Sequence, residues 1–138
     1  MKFFIDNNLP PALAPALHEL ATGDRDIDVS EVIHVARKFG RETLDAEWLT
    51  KLDDEGDWVV LTQDRLRKSE AERRALKQCS MVVFILSSSW NDHNYWEKAE
   101  RLIRWFPKLV VQAGLVGSGV FEVPWNVSGK GKLKVVQV

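Results

Sequence analysis

The chain has little cysteine, no long apolar run and almost no net charge. Cys79 is the one cysteine among 138 residues, which excludes an internal disulfide and a multi-cysteine zinc site. The apolar stretch at residues 81–86 is far shorter than the roughly 18 residues that a membrane span needs. Because 19 basic residues face 20 acidic ones, for a net charge of -1, the molecule as a whole does not attract nucleic acid. A polyanion would therefore bind through a local basic patch or through bound cations.

From the lack of a recognisable signal peptide and of a disulfide framework, we expect a cytoplasmic protein without membrane association. A chain of 138 residues can form one domain, residues 1–138, that buries roughly 68% of its unfolded surface. Such a domain needs no disulfide or structural metal to fold. The size of the chain says little more about its function.

Apolar runs alternate with amphipathic stretches, which predicts an α/β domain with a mostly parallel central sheet flanked by helices. Strands are predicted at residues 2–6, 27–35, 58–62 and 81–86, and helices at residues 10–21, 44–55 and 66–78. Thr43 is the expected N-cap of the helix at 44–55. Residues 120–125 and 133–138 predict an antiparallel hairpin at the sheet edge, with Gly129 and Gly131 in its turn.

A last helix is predicted to begin after Asn91 or Asp92, either of which can cap it. Its apolar residues predict an inward face that includes Trp96 and Ile103. Pro107 should kink or end this helix, because proline lacks the backbone N–H that a helix interior uses.

Three carboxylates stand where strands end or a helix begins. Asp6 ends the first strand, Asp64 follows the third, and Asp45 begins a helix. If the two strands are parallel, Asp6 and Asp64 emerge at the same edge of the sheet. Asp45 shares a helical face with three apolar residues, Trp48, Leu49 and Leu52. That face turns inward, so Asp45 is also expected at this edge.

Carboxylates that converge without basic partners repel one another, and a hard divalent cation relieves the repulsion. Oxygen ligands favour Mg²⁺ or Mn²⁺ over zinc. Such a cation lowers the pKa of a water and neutralises charge on a phosphodiester, which is the chemistry of phosphodiester hydrolysis. The alternative is that these acids only cap helices and hold turns, where Asp is common.

The segment Asp6-Asn7-Asn8-Leu9-Pro10 resembles the Asp-x-Asn-Leu-Pro opening of PIN-like domains, the nuclease fold of VapC-type toxins. The likeness continues through His34-Val35, through Asp45 in the segment 44–48, and through Thr62-Gln63-Asp64. It covers roughly residues 1–88. The resemblance implies a single three-layer PIN-like domain that acts as a metal-dependent ribonuclease, often a toxin neutralised by a cognate antitoxin protein.

The resemblance implies that Asp6, Asp45 and Asp64 are the catalytic residues and the ligands of Mg²⁺ or Mn²⁺. Two positions depart from the family pattern, because Asn7 and Leu66 stand where such domains commonly carry acids. We predict Asp92, just beyond the fourth strand, as the remaining metal ligand, although a helix N-cap explains that residue equally well.

Substrate contacts are predicted at Asn8, Arg65 and Arg67. Basic residues crowd the helix after Asp64, offset by Glu70 and Glu72, and the two arginines nearest the acids could hold phosphates of an RNA substrate. A solvated helix face is the alternative. Asn8 either orients Asp6 or simply holds the turn before Pro10.

A cognate antitoxin and a second copy in a homodimer are the protein partners to be expected. Two other functions remain open. One is a PIN-like binding module without catalysis, which the missing acids at Asn7 and Leu66 favour. The other is a phospho-acceptor receiver domain, which also gathers acids at strand ends but needs an acidic pair where this chain has Asn7-Asn8.

Overall fold

A computed structural model describes residues 1–127 and 132–138. They form a six-stranded sheet with helices packed on both of its faces. The strands are β1 (Lys2–Ile5), β2 (Glu31–His34), β3 (Trp58–Thr62), β4 (Val82–Leu86), β5 (Gly119–Val123) and β6 (Lys134–Val135). The helices are α1 (Leu13–Thr22), α2 (Val35–Lys38), α3 (Asp45–Glu55), α4 (Glu70–Gln78) and α5 (Tyr95–Val116).

The strand order is β2-β1-β3-β4-β5-β6, and every neighbouring pair is parallel except β5 with β6. This confirms the predicted α/β fold with its mostly parallel sheet, and the antiparallel β5–β6 pair is the predicted edge hairpin. The turn residues predicted for that hairpin, Gly129 and Gly131, lie outside the described residues.

Two hydrophobic clusters lie on opposite faces of the sheet. Phe3 and Ile5 point into the cluster that α1 and α5 cover, and Phe4 points into the one that α3 and α4 cover. Successive strand residues point to opposite faces, which explains this division. Strands β3 and β4 are buried along their whole length, as expected of central parallel strands. The carboxyl ends of the central strands therefore rest on a rigid, doubly covered base.

The first helix and the second strand are shorter than predicted. Pro10 and Pro11 accept turn-type bonds from the next residues, so α1 begins only at Leu13. Strand β2 spans Glu31–His34 rather than residues 27–35. His34 ends it, because its side-chain Nδ1 accepts the N–H of Ala36 and caps the short helix α2, which was not predicted.

The helix predicted at residues 66–78 begins four residues later, at Glu70. Leu66 adopts a left-handed conformation with φ of 58° and is fully buried, so it belongs to a turn instead of the helix. Ser69 is the N-cap, since its hydroxyl accepts the N–H of Glu72. Thr43 does not cap α3 as predicted, because its hydroxyl donates to Phe39 O and Leu44 occupies the N-cap position.

Helix α5 runs for 22 residues and is capped by Asn94 instead of Asn91 or Asp92. Asn94 forms a reciprocal capping box with Glu97. Pro107 lies inside the helix without ending it, since buried residues on both sides of it pack against the sheet. Trp96, predicted to point inward, is 78% exposed, and Ile103, seven residues along on the same face, is also exposed. Within the described ranges, no helix combines the length and apolarity needed to cross a membrane.

A pair of leucine substitutions in helices tests the core assignment. Leu52 of α3 is fully buried, whereas Leu115 of α5 is 77% exposed. Leu52→Ala should lower the free energy of unfolding by about 2–5 kcal/mol, because it removes buried methyl groups and leaves a cavity. Leu115→Ala should change it by less than about 0.5 kcal/mol in urea unfolding. Equal losses in the two variants would contradict the packing described here.

Candidate metal centre

The pairing of β1 with β3 brings Asp6 and Asp64 to one edge of the sheet. Ile5 lies opposite Leu61 in this parallel pair, so both chains leave the sheet in the same direction. Asp6 is the next residue after β1, and its N–H donates to Leu61 O at 3.2 Å. Asp64 follows two residues after Thr62, the last residue of β3. Both carboxylates are buried.

Thr62 connects these two acids. Its buried hydroxyl donates to Asp6 Oδ2 at 2.8 Å and accepts the N–H of Asp64 at 3.0 Å. The other Asp6 oxygen, Oδ1, accepts the N–H of Asn7 at 2.6 Å. The sequence signal for this bridge is the hydroxyl residue two positions before Asp64. The role of Thr62 was not predicted from the sequence. The bridge fixes the position of Asp6 relative to Asp64.

Asp64 is held by a turn and by a lysine. Its Oδ1 accepts the N–H of Leu66 at 2.8 Å, and its Oδ2 pairs with Lys68 Nζ at 2.7 Å. The Lys68 side chain is 73% exposed and reaches the acid from outside. The acids therefore do have a basic partner, which the sequence pattern did not reveal.

Asp45 is the first residue of α3 and is directed inward by the helix phase. Trp48, Leu49 and Leu52 are all buried, as their spacing predicts. Trp48 Nε1 donates to Asp45 Oδ1 at 3.0 Å, so a core side chain orients the carboxylate. A carboxylate oxygen of the half-buried Asp45 lies within 4.8 Å of one from Asp64.

A third acid, Glu72 of α4, joins Asp45 and Asp64. One carboxylate oxygen from each of the three lies within 4.8 Å of the others, which is close enough to ligate one cation. Glu72 was read from the sequence only as an offset to the basic residues of this helix. Its spacing of three from Ser69 and of four from the buried Leu76 is the signal that places it on the inner face.

Burial and mutual repulsion disturb the ionisation of these acids. Burial, followed by the charge of Asp6, raises the pKa of Asp45 to about 6. Burial also raises the pKa of Asp6, although the Thr62 and Asn7 hydrogen bonds oppose the shift. Burial opposes ionisation of Asp64 as well, but the Lys68 ammonium and the Leu66 N–H together hold its pKa below the ordinary value.

His34 supports the loop after β1. It is buried, and its Nδ1 accepts the N–H of Ala36 at 3.1 Å. The proton of the neutral ring is therefore on Nε2, which donates to Leu9 O at 3.2 Å. This bond fastens the Asn7–Pro10 segment against β2, so His34 acts in the fold and is not directed at a cation.

The remaining predicted site residues lie around the acids without joining them. Asn8 is exposed, and among the described residues its side chain makes no hydrogen bond to Asp6. Arg65 pairs with Glu122 of β5 at 2.7 Å, and Arg67 donates to Gln137 O at 3.2 Å. Asp92 is exposed at the end of a 3₁₀ helix, Ser88–Asp92, outside the group of acids that a cation could join.

Residues 1–88 match the family model described as a PIN-like domain. The chain belongs to the PIN-like domain family. The matched segment contains Asp6, Asp45, Asp64 and Glu72, whereas Asp92, α5 and the edge hairpin lie beyond it. No curated protein and no solved structure matches the chain. The family assignment argues against the alternative of a phospho-acceptor receiver domain. PIN-like domains are generally nucleases.

A hard divalent cation fits the three acids Asp45, Asp64 and Glu72. All three contribute carboxylate oxygens, the ligand type that such cations prefer. The Lys68 ammonium pairs with one of them, Asp64. Among the side chains that the structure describes, Glu72 Oε1 is a buried oxygen without a hydrogen-bond partner. A cation of charge +2 would supply both the missing charge and the missing contact.

A substitution of Thr62 tests whether this hydroxyl holds the acids in place. Thr62→Val keeps the side-chain shape but leaves the Asp64 N–H and an Asp6 oxygen without their partner, so we expect a loss of about 1–3 kcal/mol in unfolding free energy. Thr50→Val removes an exposed hydroxyl of α3 that donates to Ala46 O and should cost less than about 0.5 kcal/mol. Similar stability of wild type and Thr62→Val in urea unfolding would reject the bridging role.

The raised pKa of Asp45 predicts a pH-dependent stability in chelator-treated protein. The folded carboxyl keeps its proton up to about pH 6, whereas the unfolded one releases it near its ordinary 3.8. Wild type should therefore lose stability as the pH rises through this window and then level off. Asp45→Asn lacks this ionisation penalty. Its free energy of unfolding should therefore exceed that of wild type by about 1–2 kcal/mol at pH 7.5, after allowance for solvent screening. At pH 4 the two should be alike, and a difference independent of pH would contradict the shift.

Proposed function

We propose that the chain is a divalent-metal-dependent ribonuclease whose catalytic residues are Asp6, Asp45 and Asp64. The observation that carries the proposal is the convergence of these acids, from two strand ends and one helix start, inside the segment that matches the PIN-like family. Mg²⁺ or Mn²⁺ bound there would lower the pKa of an attacking water and neutralise charge on the phosphodiester. No side chain is required as the nucleophile.

The residues of the chain contribute positioning and charge. Asp45 is oriented by Trp48 Nε1, and Asp6 is oriented by the Thr62 hydroxyl and the Asn7 N–H. These donors belong to buried or backbone groups, so the carboxylates are held in place before substrate arrives. With a pKa of about 6, Asp45 is mostly ionised at neutral pH and available as a ligand.

A basic groove along α4 supports a polyanionic substrate. It has a volume of about 530 Å³ and is bordered by four basic residues of the α4 region: Arg67, Arg73, Arg74 and Lys77. Glu70, which pairs with Arg74, is the acid among its lining residues. Phosphate groups of RNA would bind here by charge, independently of base sequence. Arg65 is already paired with Glu122, so of the two predicted arginines Arg67 is the better candidate for a phosphate contact.

We also propose that the protein acts in the cytoplasm as the toxin of a toxin–antitoxin pair, with a cognate antitoxin as its protein partner. This finer assignment is supported by the likeness of the Asp6, Asp45 and Asp64 segments to VapC-type toxins. A PIN-like binding module without catalysis is the competing function. It is favoured by the Lys68–Asp64 ion pair and by the missing acids at Asn7 and Leu66.

Cleavage of single-stranded RNA tests the proposed activity. Wild type should cut RNA in Mg²⁺ or Mn²⁺ and lose this activity in a chelator, whereas Asp6→Asn and Asp64→Asn should be slower by roughly 100-fold or more. Asp54→Asn, which changes an exposed acid of α3, should keep the wild-type rate. Circular dichroism checks that each variant is folded, and a matched DNA strand reports the preference for RNA. Equal rates in all proteins would reject the proposal, and cation binding without cleavage would favour the binding module.

A further inference from the structure

Glu72 stands in an environment that a surface acid of a charged helix would not have. The residue is only 9% exposed, although exposed basic residues flank it along α4. One of its carboxylate oxygens lies within 4.8 Å of oxygens from Asp45 and Asp64. Burial among like charges is unfavourable for a carboxylate unless a positive group compensates for it.

The hydrogen bonds of Glu72 leave one of its oxygens unused. Ser69 Oγ contacts Oε2 at 3.3 Å, and Oε1 is buried without a partner among the residues that the structure covers. Buried carboxylate oxygens normally accept a hydrogen bond or bind a cation. The orphaned oxygen and the neighbouring acids are independent observations, and both indicate a missing positive ligand.

Helix capping accounts for only part of this placement. The Ser69 hydroxyl accepts the N–H of Glu72 and contacts Oε2, which leaves the buried Oε1 and its closeness to the other acids unexplained. A neutral glutamine would pack equally well there without repelling Asp45 and Asp64. Lys68 does not account for it either, because its ammonium pairs with Asp64 Oδ2.

We infer that Glu72 binds the divalent cation together with Asp45 and Asp64 and is the remaining acid of the metal site. This inference rests on the proposed metal-dependent function. Glu72 of α4 would take the role of the acid expected at position 66. Leu66 itself is buried in the core, and the chain then leads through a turn to Glu72. Asp92, the residue predicted from the sequence for this role, is exposed at the end of its 3₁₀ helix.

Calorimetric titration of the full chain with Mn²⁺ tests the assignment. Glu72→Gln, which keeps the size and the contact to Ser69, should weaken Mn²⁺ binding at least 10-fold. Glu70→Gln is the matched control, because Glu70 is an exposed acid in the same first turn of α4. It should bind Mn²⁺ within about 2-fold of wild type, as should Asp92→Asn. Unchanged affinity in Glu72→Gln, or a loss confined to Asp92→Asn, would overturn the inference.

Thermal unfolding provides a second readout that does not depend on catalysis. In chelator, Glu72→Gln should melt at or above the wild-type temperature, because the substitution relieves repulsion. Mn²⁺ should then raise the melting temperature of wild type more than that of the variant. A lower melting temperature in chelator with an undiminished Mn²⁺ shift would show that Glu72 is only structural. Glu72→Asp keeps the charge on a shorter side chain and should bind Mn²⁺ with intermediate affinity.

The outcomes separate this inference from the proposed function. If wild type binds Mn²⁺ through Glu72 but leaves RNA intact, the ribonuclease proposal fails and the assignment of Glu72 stands. If RNA is cut and Mn²⁺ affinity is the same in Glu72→Gln, the activity stands and the assignment fails. If wild type binds no Mn²⁺ at all, both are rejected.

Discussion

The parallel pairing of β1 with β3 is the constraint on which the candidate metal centre depends. The backbone bond from Asp6 N–H to Leu61 O extends this pairing one residue beyond β1, so Asp6 is anchored before its side chain makes any contact. A register slip of two residues would move one acid about 7 Å along the sheet and separate it from Asp64. The buried residues on both faces of β3 make such a slip unfavourable.

Several carboxylates gathered in one place oppose folding, and the core on the α3 side offsets that repulsion. Trp48 shows how the two are connected. The centroid of its ring lies 4.7 Å from that of the Phe4 ring, and its Nε1 donates to Asp45. A single side chain thus belongs to the hydrophobic cluster and to the site. Functional centres commonly accept locally unfavourable charge in this way and depend on surrounding packing for their geometry.

The parts of the fold that follow from local patterns could be predicted from the sequence. The continuous apolar run at residues 58–62 marked β3, and the spacing of Trp48, Leu49 and Leu52 gave the direction of Asp45. Glu72 was not assigned, because its spacing from Ser69 and Leu76 becomes informative only when α4 is known to begin after Ser69. That start is decided by Leu66, whose left-handed turn and burial arise from tertiary packing and leave no local signal. Trp96 was misplaced because the buried face of α5, which includes Leu102, Trp105 and Phe106, lies on another side of the helix.

Leu66 has a consequence for how the site and the fold influence each other. A side chain with a Cβ adopts a left-handed backbone at a cost of about 1–2 kcal/mol, and here burial of Leu66 compensates for that cost. The segment between Asp64 and Glu72 is therefore clamped to the core at Leu66, near its Asp64 end. A cation that joined its two ends would tighten that clamp, and by thermodynamic linkage a better-packed core would hold the cation more strongly. Cation affinity and core stability would then rise and fall together.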